Sequence, residues 1–386
     1  MHLFHHKFTK KEIALGIYAI FITKFETVQR KYILPLFLLF QIIFLKILAC
    51  FPEVVEHYYS NGFYVFTSRF ERTVLGKIPF SFGDVLYGIL IVYLLISIWK
   101  TRKTWRKQWK ENLLKVLSGF SIFYFFFHVL WATNYYRVPL FEKMNIKREY
   151  SNQDLYAFTE KLIAKTNEVQ FQITHNKNHK VTNPYSQDSI FSMTQNGYDN
   201  LAKQYSFFKY EMPSRKKSLF SLPLTYMGFG GYFNPFTNES QVNDKLPMYG
   251  FPNVICHEMA HQIGYASESE CNFIGFMACV KNDDLYFQYA AYTAALRYCL
   301  ENIIMKDEVK FKALKPTINR GIIENFKESE RFWEQYDTFI DKGFHAFYDQ
   351  FLKANQQKDG LESYSKFVDL LINYYKVKNY ELGITN

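Results

Sequence analysis

Three long apolar runs occupy the first third of the chain, and shorter amphipathic periods fill the rest. Tyr32 to Phe51 is interrupted only by Gln41 and Lys46, Phe82 to Trp99 carries Asp84 as its one charged group, and Leu113 to Thr133 holds Lys115 and His128. At about 1.5 Å of rise per residue, each run can cross roughly 30 Å of hydrocarbon as a helix. Lys46 lies near one end, where its stem can snorkel, and Pro35 falls near a helix start. The pattern predicts transmembrane helices over about 32–51, 82–99 and 113–133, because too little polar sequence surrounds these runs to bury them in a soluble core. Ile13 to Ile22 is too short to cross. With no small-residue cleavage site after it, this stretch reads as an interfacial or cytoplasmic helix within a cytoplasmic segment 1–31.

Beyond the third run the pattern changes to that of one large domain, 134–386. Leu155, Phe158, Leu162 and Ile163 recur at helical spacing and predict a helix over Asn152 to Asn167. Residues 168–195 are polar and read as irregular, with a further helix over Asn196 to Phe208 and a turn-rich basic patch from Pro213 to Ser218. Strand-like pieces follow between Leu219 and Asn243. Asp284 to Met305, Lys315 to Phe347 and Ser363 to Tyr375 read as helices. The expected fold class is mainly α, with an α+β portion and a mostly helical C-terminal part.

Charge placement adds an orientation. The formal net charge is +10, but the cations cluster beside the apolar runs rather than along a groove, which disfavours a nucleic-acid partner. Lys7, Lys10, Lys11, Lys24, Arg30 and Lys31 precede the first run, and Arg102, Lys103, Arg106, Lys107 and Lys110 separate the second from the third. The loop 52–81 is nearly balanced. The bias toward cytoplasmic lysine and arginine then puts the N-terminus inside and everything after the third span outside. Much of the aromatic content, with 40 Phe and 30 Tyr in the chain, falls in or beside the apolar runs and agrees with a lipid partner. Five cysteines without a CxxC pair argue against a disulfide framework or a thiolate metal cluster.

The chemistry-bearing segment is His257-Glu258-Met259-Ala260-His261. In a helix from Asn253 to Ile263, capped by Asn253 and ended by Gly264, positions 257 and 261 share a face and can hold one zinc ion. Glu258 can then act as general base on the metal's water. A third ligand is needed, and Glu268 and Glu270 are the candidates on a second helix beginning near Ser267. Glu270 is preferred, although Ser267 and Glu270 also have the spacing of a capping box. Glu268 reads as an exposed first-turn acid. Asn272 can orient a ligand. Tyr298 is the chosen donor to a developing oxyanion, with Tyr292 and Arg297 as further candidates on the same helix. Asn234, Phe236 and Thr237 can form an edge that binds an extended substrate, or a structural turn.

Other chemistries fit less well. Gly228, Gly230 and Gly231 lack the spacing and the lysine of a phosphate loop, no GxSxG elbow occurs, and Cys256 and His257 are neighbours that do not face each other on a helix. Three spans without a repeat do not define a transport pathway.

Several longer motifs carry a resemblance. Trp131-Ala132-Thr133-Asn134-Tyr135-Tyr136-Arg137, Gly230-Gly231-Tyr232-Phe233-Asn234-Pro235-Phe236-Thr237, His257 to Gln262 and Ser267 to Phe273 together resemble the family called domain of unknown function 3810, found mainly in Bacteroidetes. Phe351-Leu352-Lys353-Ala354-Asn355 and Ser363-Tyr364 also fit. More distantly, the histidine region is similar to gluzin-type zinc peptidases, in which a glutamate on the following helix completes the site and an Asn or Asp two residues later supports it. That implies Glu270 as ligand and Asn272 as support, with Cys271 where alanine is usual. The resemblance also implies an inner-membrane protein with a periplasmic catalytic domain. The expected function is zinc-dependent hydrolysis of a peptide or cell-envelope protein, with one Zn2+ per chain. The alternatives are an inactive scaffold of the same fold and a hydrolase of non-peptide amides.

Overall fold

The computed structural model describes residues 30–355, 364–377 and 381–382, so the helix expected over Ile13 to Ile22 lies outside the described residues. The first third contains helices α1 (Arg30–Leu48), α2 (52–75), α3 (Phe82–Thr101) and α4 (Trp109–Leu130). The chain divides into two compact units, one of Met1–Cys50 and Leu90–Val129 and one of Phe51–Ile89 and Leu130–Asn386.

The first unit is built from α1, most of α3 and α4. These three helices are long and apolar enough to cross a membrane, so the protein is a multi-pass membrane protein. Each begins or ends within a few residues of the expected bounds, because helix ends follow local capping rather than the edge of the apolar run. Leu36, Leu39, Phe40, Ile43 and Ile47 are exposed on α1. The polar exceptions find each other, as Gln41 Nε2 on α1 donates to Ser121 Oγ on α4 at 3.1 Å, beside a Phe37–Phe125 contact of 5.7 Å. Paired polar groups of this kind join helices in a solvent that offers no other partner.

The second unit corrects the expected organisation. Residues 52–81, read as a loop, fold mainly as α2, whose turns from Val55 to Phe63 are π-helical, and α2 belongs to the same compact unit as the large domain. Glu56 on α2 pairs bidentately with Arg137, with both contacts at 2.8 Å, and Lys143 reaches the same carboxylate at 2.6 Å. Arg137 Nη1 also donates to the Gly264 carbonyl at 2.7 Å. Tyr64 on α2 donates to the Gln262 carbonyl at 3.0 Å and accepts from Asn238 Nδ2 at 2.9 Å.

Downstream come α5 (Asn152–Thr174), opened by a Ser151–Asp154 capping box, and α6 (Gln187–Gln204), capped by Ser186. The polar stretch expected to be irregular is therefore largely helical. Serine caps recruit it, and Ile190, Thr194, Tyr198 and Leu201 bury one stripe. Three short strands, β1 (Arg215–Lys217), β2 (Gly231–Asn234) and β3 (Glu239–Val242), form a sheet in the order β1-β3-β2. β1 is parallel and β2 antiparallel to β3. The basic patch read as a turn thus supplies a strand. The longer helices that follow among the described residues are α7 (Phe251–Gln262), α8 (Glu268–Val280), α9 (Leu285–Lys306), α10 (Arg320–Glu334), α11 (Phe339–Ala354) and α12 (Tyr364–Lys376). The single helix expected over Lys315 to Phe347 is broken, and Thr338 caps the new start at α11. All of α8 is buried, which makes it the centre of the core.

The Glu56–Arg137 pair generates a stability prediction. Burial raises the Glu56 carboxyl, but the hydrogen bonds and charges of Arg137 and Lys143 outweigh it and hold the group at about 2, below its ordinary 4.5. A depressed folded pKa contributes stability that is complete above about pH 4.5 and is lost as pH falls toward 2. Thermal melts in detergent from pH 6 to pH 3 should therefore show a steeper loss for wild type than for Glu56→Gln. Arg137→Met, which removes the bidentate partner of Glu56 and leaves Lys143 as its remaining cation, should cost about 3 kcal/mol at neutral pH. Equal pH slopes for wild type and Glu56→Gln would remove this pair from the account.

Candidate metal centre

α7 begins at Phe251 with Pro252 in its first turn and Gly250 at the N-cap, so Asn253 lies inside the helix rather than capping it. It ends at Gln262, and the chain reverses at Gly264, where φ is +88° and an added Cβ would sit 2.9 Å from the Tyr64 ring. Both the dihedral and the space require glycine there. Three backbone groups in this reversal are held from outside. Trp131 Nε1 donates to the His261 carbonyl at 3.2 Å, Tyr64 to that of Gln262, and Arg137 to that of Gly264.

α8 starts at Glu268, immediately across from the face of α7 that carries the histidines. The His257 Nε2 to Glu268 Oε2 distance is 3.2 Å and the His261 Nε2 to Glu268 Oε1 distance is 3.7 Å. One ligand atom from each of His257, His261 and Glu268 lies within 4.8 Å of the others. Glu270, expected to face the histidines, is turned away and accepts from the Leu140 backbone N–H at 2.6 Å. The cause is helical rotation, since two residues at about 100° each put positions 268 and 270 on opposite faces. Nor does a capping box form, for Ser267 makes no side-chain cap bond. Burial pushes the Glu270 carboxyl up to about 7.

The outer nitrogens of both imidazoles are engaged. His257 Nδ1 is 2.8 Å from Asn272 Oδ1, and His261 Nδ1 is 2.9 Å from the Tyr265 carbonyl. A carbonyl oxygen only accepts, so Nδ1 carries the proton and Nε2 of His261 presents its lone pair toward Glu268. Burial raises Glu268, but its bonds and charges with the two histidines and the Tyr348 hydroxyl bring the carboxyl down to about 2. Burial would lower both histidines; Glu268 holds His257 up against it, whereas His261 falls to about 4. Cys271 Sγ sits 3.2 Å from the Tyr265 carbonyl, on the far side of the His261 ring from Glu268. Cys256, Cys271, Cys279 and Cys299 are buried free thiols and Cys50 is exposed.

Glu258 stands beside this cluster. Its Oε2 is buried without a hydrogen-bond partner, and burial pushes its carboxyl up to about 8. β2 passes close by. An added Cβ at Gly231 would lie 2.9 Å from Glu258 Oε1, while Phe233 packs on Trp131 at 4.9 Å and on His261 at 6.3 Å. The edge of the sheet nearest the cluster is thus Gly231 to Phe233. Of Asn234, Phe236 and Thr237, read as a substrate edge or a structural turn, Asn234 ends β2 and the other two lie in the turn after it. Asn234 and Thr237 are buried; Asn234 Oδ1 accepts from Phe236 N at 3.0 Å, Thr237 donates to Glu239 at 3.0 Å, and Phe236 packs edge-on to Tyr87 at 6.3 Å.

Of the tyrosines on α9, Tyr298 feels the charge of Glu268 and packs edge-on to Phe367 at 5.3 Å, and burial raises its hydroxyl well above the usual range. Tyr292 is sealed in the core against Phe276, and Arg297 pairs with Glu301 on the surface. Sequence reasoning missed Tyr348 on α11, which donates to Glu268 Oε1 at 2.6 Å. Its one signal was position, a turn ahead of Phe351-Leu352-Lys353-Ala354-Asn355.

The family described as "Protein of unknown function (DUF3810)" matches residues 59–372, and the chain belongs to it. No curated protein and no solved structure matches the chain. The family match runs from within α2 to within α12, so it includes every residue of the cluster.

Elemental analysis separates the two glutamates. Wild type supplemented with zinc should retain about one equivalent through dialysis, Glu268→Ala should lose it, and Glu270→Gln should keep it. Asn272→Ala should weaken metal affinity by about 10- to 100-fold. Retention by Glu268→Ala with loss in Glu270→Gln would reverse the assignment.

Proposed function

We propose that this DUF3810 member is a zinc-dependent, membrane-anchored metallopeptidase of zincin-like, gluzin-related fold, with His257, His261 and Glu268 as the ligands of one Zn2+. The observation that carries the reading is the convergence of these three groups beside Glu258, a buried carboxylate with an oxygen left free. The donor set suits zinc, since two imidazole nitrogens and a carboxylate are its common catalytic ligands and leave a position open. Bound there, zinc would supply Lewis-acid polarisation of the scissile carbonyl.

The remaining work falls to the chain itself. Glu258, raised toward neutrality by burial, takes a proton from the attacking water and returns it to the leaving amine, which a group with pKa near the working pH does best. Asn272 and the Tyr265 carbonyl fix the two imidazoles, and Tyr348 fixes Glu268. The outer side of β2, at the edge of the sheet, offers backbone groups to an extended peptide near Glu258. Tyr298, whose hydroxyl keeps its proton at any working pH, is assigned as donor to the developing oxyanion. The lysine and arginine distribution supports an N-terminus inside and the domain outside, and the proposed setting is a bacterial inner membrane, with the domain in the periplasm and an envelope protein or peptide as substrate.

Glu258→Gln should keep one zinc per chain and lose about 10²- to 10⁴-fold in kcat on a cleaved peptide. Tyr298→Phe should lower kcat by about 10- to 10³-fold with KM little changed. Undiminished turnover in Glu258→Gln would sink the mechanism. Release of products from cell-wall amides but from no peptide would move the substrate class.

A further inference from the structure

The polarity of α2 is inverted. Its inward face is mostly polar, with Glu56, Ser60, Ser68 and Arg72 all buried beside Val55 and Tyr64, whereas Tyr58, Phe66, Phe70 and Val74 are 70%, 72%, 64% and 53% exposed. Positions 66, 70 and 74 recur every fourth residue and form one stripe. A helix bathed in water would turn that stripe inward, but the inner contacts of α2 are hydrogen bonds that fix its rotation. Ser60 Oγ donates to Asn134 Oδ1 at 2.9 Å, Tyr64 to the Gln262 carbonyl at 3.0 Å, and Arg137 to Glu56 at 2.8 Å.

The chain on either side says what covers the stripe. α1 ends at Leu48 and α2 begins at 52; α2 ends at 75 and α3 begins at Phe82. Both flanking helices are apolar enough to cross a membrane, so α2 is tied to the bilayer surface at each end by a linker of a few residues. A second apolar pair lies beside the start of α3. Leu219 and Leu222 are 58% and 51% exposed, and the Leu219 N–H donates to Asp84 Oδ2, in the first turn of α3, at 2.7 Å.

We infer that α2 is seated in the membrane–water interface, with Phe66, Phe70 and Val74 inserted among lipid headgroups and upper acyl chains and Leu219 and Leu222 extending the seat. Exposed aromatic and aliphatic side chains on one face of a helix lying along the surface are the usual means of such insertion. The inference does not rest on the metal reading. Its consequence is that Tyr64 links the helix bearing His257 and His261 to the membrane surface through one side chain.

The test uses the full chain with Cys50→Ser, since the other cysteines are buried, reconstituted in phosphatidylcholine vesicles. Nitroxide labels at Phe66→Cys, Phe70→Cys and Val74→Cys are compared with one at Val309→Cys, a position 80% exposed on the domain surface. The stripe should relax several-fold more with oxygen than with a water-soluble nickel chelate, and Val309 should do the reverse. Nickel access at the stripe equal to that at Val309 would overturn the seat, as would exclusion of both reagents with dipolar broadening, the sign of a second copy packed on α2. Phe70→Trp, which keeps an aromatic ring, checks the result without a label. Its added emission should be quenched by acyl-chain-brominated lipid, and unquenched emission in a folded protein would also overturn the proposal.

Discussion

Everything at the candidate centre depends on the reversal between α7 and α8 being held in one geometry. Only five residues separate Gln262 from Glu268, and within them the chain must turn back so that the first residue of α8 faces the two histidines. A tight turn leaves backbone carbonyls without helical partners. Here they are met by Trp131, Tyr64 and Arg137, donors from outside the two helices. Arg137 also stacks on Tyr265 at 4.2 Å, and the Tyr265 carbonyl in turn orients His261. The arginine is held by Glu56. A chain of contacts therefore runs from α2 to an imidazole, through an ion pair, a cation–π stack and a hydrogen bond, all of them buried.

That dependence explains which parts of the site were legible in the sequence. The spacing of His257 and His261 fixes a shared face by helix geometry alone, and Glu258 follows from adjacency. The third member of the cluster did not follow, because choosing between Glu268 and Glu270 requires the register at which α8 leaves the turn, and a one-residue change rotates the face by about 100°. That register is set by Leu140, Arg137 and Tyr64, which lie more than a hundred residues upstream. The Ser267–Glu270 spacing, which looked like a cap, drew attention to the acid that in fact serves the Leu140 N–H. Tyr348 was out of reach for the same reason, since only the tertiary fold brings α11 over α8.

For the fold, long-period signals were the readable ones. The three apolar helices, α5 and the helical C-terminal part follow from runs and repeats that no packing detail could override. Residues 168–195 misled because their composition is polar, and 52–81 because they were read only as the connection between two spans. In the first, serine caps and a narrow buried stripe were enough for a helix. In the second, the polar residues are the interior face. A reading that equates polar with exposed must fail on α2, where Glu56, Ser60, Ser68 and Arg72 point into the protein and the phenylalanines point out.

The small sheet adds a second constraint on the centre from the opposite direction. Glu239, at the start of β3, accepts from the Phe82 and Gly83 N–H groups at 3.2 and 2.5 Å, so a buried carboxylate sits on the N-terminus of α3 where the helix dipole favours it. Asp84 in the same turn takes Ser218, Leu219 and Tyr232. Because Tyr232 pairs with Gln241 and Gly231 with Val242, pinning Tyr232 and Glu239 to one helix end leaves β2 a single register. A slip of one residue would swap its faces, and in the direction that carries Tyr232 to the position of Gly231 a Cβ would meet Glu258. Glu258 is thus confined between a strand held by α3 and a helix held by α2, with one carboxylate oxygen unpaired. An unsatisfied buried carboxylate costs about 1–3 kcal/mol or more. Two anchors, α2 and α3, thus hold in place a buried carboxyl oxygen that has no hydrogen-bond partner.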